Sequence, residues 1–268
     1  MSEETKSAED RPESGEAPGS QLEEPLPAPV RGWTYWDLAV VSGLAVVAQI
    51  LLALLGLAVL AVVRGGRMES AERAIWQVGF ILPVQVAWWL VVLWLVYRVV
   101  RARDPRPFGQ AIGWVRPSLA PWTYVGSGAL LAVSVVALSG LLPLPARKSP
   151  MEQLFRDPAS ALLLGAFGVL LAPAIEELVF RGFLYPVLER AHGAAAAVVA
   201  TGSVFSLVHA QQYGWAWQNL LLLAYVGVVF GVLRAASGSL IPSTLAHASY
   251  NLTLFVGLYA GTKGFRQF

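Results

Sequence analysis

The chain lacks cysteine altogether and holds only three histidines, and charged residues make up just 13% of its 268 positions. With no cysteine there is no disulfide framework, no thiolate metal site and no thiol nucleophile. A charged fraction about half that of an ordinary soluble domain excludes a well-solvated globular surface. What is present points the same way: 56% hydrophobic residues, ten tryptophans and a mean hydropathy of +0.58. This is the composition of a polytopic membrane protein, all-α, because the long uniform apolar runs do not alternate as barrel strands do. The net charge of +2 says little, since 8 of the 17 acidic residues lie in the first 24 positions.

Three regions are expected. Residues 1–31, rich in Glu, Ser, Pro and Gly, cannot bury a core and read as a disordered acidic tail, with no basic and apolar pattern of a cleavable signal. Residues 32–150 carry N-terminal transmembrane helices, and residues 151–268 form a second, site-bearing transmembrane region. About seven spanning segments follow one another, with six to eight compatible: Trp36–Val63, Ala74–Tyr97, Leu119–Leu142, a fourth from Ser160 through to Arg190, Ala194–Ala210, Trp215–Leu233 and Leu240–Gly261. The arginines at 98, 101, 103, 106 and 116 place the second connection, and the N-terminus with it, in the cytoplasm; Arg64, Arg67, Arg73, Arg147, Lys148 and Arg156 argue the other way. No internal repeat is visible, so an inverted-repeat transporter gains no support.

Ionisable side chains inside spanning segments are costly and face a cavity or a partner. The stretch APAIEELVFRG, residues 172–182, supplies Glu176, Glu177 and Arg181; later segments supply His209, His247 and Asn251. Glu177 and Arg181 are four apart, share a helix face and can pair. Glu176 points roughly 100° away and is left free. His247 and Asn251, and likewise Phe205 and His209, repeat the four-residue spacing. Glu176 and His209 each lie about 16 residues, or ~24 Å, from the turn at His192-Gly193, so an antiparallel pair brings them level. His247 and Asn251 lie ~15–20 Å beyond the turn at Ser237-Gly238 on the same side, a mismatch that tilt or a protruding fourth helix absorbs. Tryptophans 88, 89, 94, 215 and 217 read as interfacial belts or packing, and Gln211, Gln212 and Tyr213 as a possible substrate mouth.

A carboxylate beside a neutral imidazole can hold and deprotonate a water, and a second histidine with an amide can donate to an oxyanion. Together they describe amide hydrolysis without a covalent nucleophile. Glu176, His209 and His247 could equally hold a divalent metal such as zinc, although no HExxH occurs.

The three motifs in order, EExxxR (Glu176 to Arg181), FxxxH (Phe205 to His209) and HxxxN (His247 to Asn251), resemble the CPBP family of CAAX proteases and bacteriocin-processing enzymes, also called Abi, over roughly residues 155–256. The resemblance implies a helical core with its site sunk in the membrane. In it Glu176 and His209 activate water, His247 and Asn251 form the oxyanion side, and Glu177, Arg181 and Phe205 support the site. It further implies membrane-embedded or C-terminally anchored peptide substrates, no nucleic acid, and residence as an integral protein of a prokaryotic plasma membrane. Two other readings stand beside it: a proton-coupled transporter using Glu and His as relays, and a non-catalytic immunity or binding scaffold.

Overall fold

The computed structural model describes residues 32–63, 78–143 and 157–265. The acidic tail, the arginines at 64, 67, 73, 147 and 156, and Lys148 lie outside the described residues. Within them every regular element is helical: α1 (Tyr35–Val63), α2 (Val78–Arg103), α3 (Phe108–Ala111), α4 (Pro121–Ser139), α5 (Pro158–Leu170), α6 (Ala172–Glu177), a π-helical stretch (Leu178–Leu184), α7 (Tyr185–Val208), α8 (Trp217–Ser237) and α9 (Ile241–Gly261). The all-α transmembrane bundle expected from the sequence is what the chain forms.

Five runs among the described residues are long and apolar enough to cross a membrane: α1, α2, α4, the run Pro158–Val208, and α8. The 51-residue run is folded over at Gly193, whose φ of 81° and ψ of 166° break the helix. Its two arms account for two of the seven expected segments. The seventh, α9, has the length to span but is not among the five; Ser243, Thr244, His247, Ser249, Asn251 and Thr253 dilute its apolar character.

Local chemistry explains the breaks in the fourth segment. Asp157 caps α5 by accepting from the backbone N–H of Ser160 at 2.9 Å. Pro173 has no N–H to give, so the helix restarts at Leu171. The π-helical stretch then accommodates one extra residue beside the EExxxR motif, and such bulges recur at functional sites.

Small residues let the backbones meet. Gly202 of α7 and Gly227 of α8 face each other so closely that a methyl on Gly202 would sit 2.8 Å from Val228 N. A methyl on Gly128 of α4 would overlap the backbone of Ala246 in α9. At one end of the bundle, Asp37 pairs with Arg103 at 2.8 Å, joining the start of α1 to the end of α2. Just beyond, the hydrogen bonds from Arg106 hold the buried Asp104 carboxyl below the usual carboxylate range. Trp88 donates to Ala45 O and Trp89 stacks on Phe167, so both serve packing. The same end gathers Trp33, which donates to Phe183 O at 2.7 Å, and Leu240, whose N–H donates to Gly113 O at 2.7 Å. Phe183, Ile112, Trp33 and Leu240 pack in one buried cluster there.

Candidate active site

The cluster around Phe183 and Leu240 sets the depth of the site. Glu176 precedes Phe183 by seven residues and His247 follows Leu240 by seven, each ~10 Å along its helix. The two motifs are therefore level, and the unequal counts from their turns have a simple cause. The fourth segment continues from Tyr185 to His192 past this cluster before it reverses at Gly193, where the His192 ring meets Tyr35.

Four elements bring the side chains together. Glu176 Oε2 lies 3.9 Å from His209 Nε2 and 3.8 Å from His247 Nε2. His209 closes the last turn of α7, and its Nδ1 lies 2.7 Å from Phe205 O. A carbonyl can only accept, so Nδ1 carries the proton and the neutral ring offers its Nε2 lone pair toward Glu176. His247 is held alike: its Nδ1 donates to Glu177 Oε1 at 3.0 Å, leaving Nε2 facing Glu176. One carboxylate oxygen and two imidazole nitrogens, all acceptors in the neutral state, thus converge on one point.

Glu177 and Arg181 form the expected i, i+4 pair at 2.8 Å, both fully buried. Glu177 Oε1 accepts from Arg181 and from His247 at once, so this carboxylate also aims a histidine, a link that spacing alone does not reveal. Arg181 donates in addition to Gly227 O. Its guanidinium carbon lies 5.8, 5.1 and 5.5 Å from the ring centres of Phe180, Phe205 and Phe230. Phe230 stacks on the His247 ring at 4.6 Å, and Phe205 packs against both histidines. Phe205 is therefore a packing residue, and Phe180 and Phe230 are two partners that no motif announced.

Asn251 lies one turn beyond His247. Its Nδ2 donates to Gly168 O at 2.7 Å, which leaves its second N–H uncommitted. His192 is remote, at the Gly193 turn. Of the expected mouth residues, Gln212 and Tyr213 line the cavity over the site. No group of three His, Asp or Glu among the described residues is arranged as a metal-ion site.

The cavity is about 550 Å³, a size that suits a small ligand or a short stretch of chain. It begins at Glu176, His209 and His247 and runs away from the Phe183 cluster to Leu164 and Leu258. Glu176 and Leu164 are twelve residues apart, about 18 Å along the helix. Its far wall is apolar. One wall comes from α2, where Ile81, Leu82, Gln85 and Trp89 face it, so the N-terminal helices help shape the site although they carry no motif. Gln85, an amide within an apolar run, was the available signal.

The comparisons with known proteins agree with this geometry. Residues 158–253 match the family model described as type II CAAX prenyl endopeptidase, Rce1-like. The matched segment contains all three motifs, which bears out the resemblance to CAAX proteases. No curated protein and no solved structure matches the chain.

Proposed function

Starting from an Rce1-like core at residues 158–253, we propose that the chain is an endopeptidase that hydrolyses peptide bonds of membrane-associated or C-terminally anchored substrates. It would act in a prokaryotic plasma membrane, with the N-terminus cytoplasmic. The observation that carries the reading is the convergence of Glu176 Oε2 with the Nε2 atoms of His209 and His247 at 3.9 and 3.8 Å. Two of these acceptors can take the two protons of one water molecule, which keeps a lone pair for attack.

In the step proposed, the water oxygen bonds to the scissile carbonyl carbon while Glu176, with His209 beside it, takes a proton. The carbonyl becomes an oxyanion that accepts from the uncommitted N–H of Asn251. His247 can also donate from Nε2, but only when its ring carries a second proton. The C–N bond then breaks, and the proton on Glu176 passes to the leaving nitrogen. Glu177 orients His247, and Arg181 balances the Glu177 charge. A divalent cation such as zinc would need Glu176, His209 and His247 drawn closer together than the 3.8–3.9 Å seen here, and no step is routed through one.

Two alternatives make different demands. A proton-coupled carrier would show proton-linked flux and no cleavage, and an immunity scaffold would work unchanged with Glu176→Ala. The test compares membrane-protein termini, by mass spectrometry, in cells expressing wild type or Glu176→Gln. A set of termini present with wild type and missing with the variant supports the protease and names its substrates. Identical termini at equal protein abundance would overturn it.

A further inference from the structure

The proposed reaction needs hydrogen-bond donors for an oxyanion, and the site supplies few. His209 and His247 have their Nδ1 protons committed to Phe205 O and Glu177 Oε1, and Asn251 has one of its two N–H groups committed to Gly168 O. Among these three residues that leaves a single N–H from a neutral site, where amide-hydrolysing enzymes place two donors or more; the amides of Gln85 and Gln212 and the Tyr250 hydroxyl line the cavity as well. Tyr213 offers another. It lines the same cavity as Glu176, His209 and Asn251. Its hydroxyl makes no hydrogen bond to any described residue, so it is free to serve a ligand.

The segment carrying Tyr213 is built rather than loose. His209 O accepts from Gln212 N, Gln211 O from Gly214 N, Ala210 O from Trp215 N, and Tyr213 O from Ala216 N. Gly214 and Trp215 both adopt positive φ, 62° and 60°. For tryptophan this left-handed conformation is costly and persists only where surrounding structure enforces it. Four residues after His209, the turn thus holds a tyrosine against the cavity. Burial, and then the Glu176 carboxylate, push its phenol above the usual range, so the proton stays on oxygen and the carboxylate is within electrostatic reach.

Resting on the protease reading, we infer that Tyr213 is a catalytic residue whose hydroxyl donates to the oxyanion formed when water adds to the scissile carbonyl. Tyr213 keeps its proton throughout; it stabilises charge and transfers nothing. Its donor is available whatever the protonation of His247.

The test measures, in cells carrying wild type, Tyr213→Phe or Glu176→Gln, how fast the cleaved termini appear after a pulse label, with protein abundance and thermal unfolding recorded alongside. Since the hydroxyl has no partner in the fold, Tyr213→Phe should accumulate and unfold as wild type does. The expected result is cleavage slowed by about 10²- to 10³-fold, the usual loss for one oxyanion donor. Wild-type speed from Tyr213→Phe, with Glu176→Gln inactive, would overturn the role of Tyr213 and leave the protease standing. If Glu176→Gln keeps the termini, or wild type produces none, the protease reading falls and the Tyr213 assignment with it.

Discussion

At the residue scale, two adjacent glutamates do different work because a helix turns them apart. Glu176 faces the cavity, and Glu177 faces the interior, where it binds Arg181 and His247 through one oxygen. Spacing alone foretold the Glu177–Arg181 pair and left Glu176 free. It could not foretell that Glu177 reaches a helix seventy residues later, since i, i+4 logic stops at the end of its own helix. Of the aromatic box, FxxxH announced Phe205, but Phe180 and Phe230 were silent, because phenylalanine in an apolar run carries no signal of its own. The pairing has a stability consequence. Arg181→Met leaves the Glu177 charge buried with only a histidine partner, and breaking a buried pair this way typically costs ~3–5 kcal/mol. Thermal unfolding in detergent should show a clear drop in midpoint, and an unchanged midpoint would refute the structural role given to Arg181.

At the level of elements, the sequence revealed where helices run better than how they bend. The start of α1, α8 and α9 fall within a few residues of expectation, since apolar length is plain to read. The restart at Leu171 and the π-helical stretch were not foreseen, although Pro173 marked the first. Nor was the crossing of α4 with α9, because a glycine marks close approach only once the partner helix is known. That crossing sets His247, one residue after Ala246. Gly128→Val would drive a side chain into the Ala246 backbone. It should lower cleavage by at least tenfold and reduce the unfolding midpoint, whereas Gly126→Val, with open space around it, should do neither. Equal behaviour of the two variants would show that the crossing does not position the site.

For the whole molecule, contacts show which segments share an end, and the proposed cytoplasmic N-terminus says which side that end faces. Asp37 with Arg103, Tyr35 with His192, and Leu240 with Gly113 put the starts of α1 and α9, the end of α2 and the Gly193 turn at one end. Helix α8, with 21 residues, carries the chain ~31 Å from the other end, where residues 209–216 lie. The absence of cysteine makes this testable with single introduced thiols. Ala102→Cys and Ala191→Cys, both exposed, should react with an impermeant maleimide only after cells are opened. Gln211→Cys should react in intact cells. Labelling of 102 and 211 from the same face would contradict the arrangement. Charge counting alone could not decide this, because its basic residues fell on both sides.

The central claim is that Glu176 activates the water that cuts the substrate, and it is tested most directly on the purified full chain in lipid nanodiscs. The substrate is a peptide spanning one of the termini that wild type generates in cells. The rate with Glu176→Gln should fall by about 10²- to 10⁴-fold or more, the range for losing a general base, while the unfolding midpoint stays at the wild-type value. A Glu176→Gln rate within a few-fold of wild type, from protein equally folded, would contradict the account.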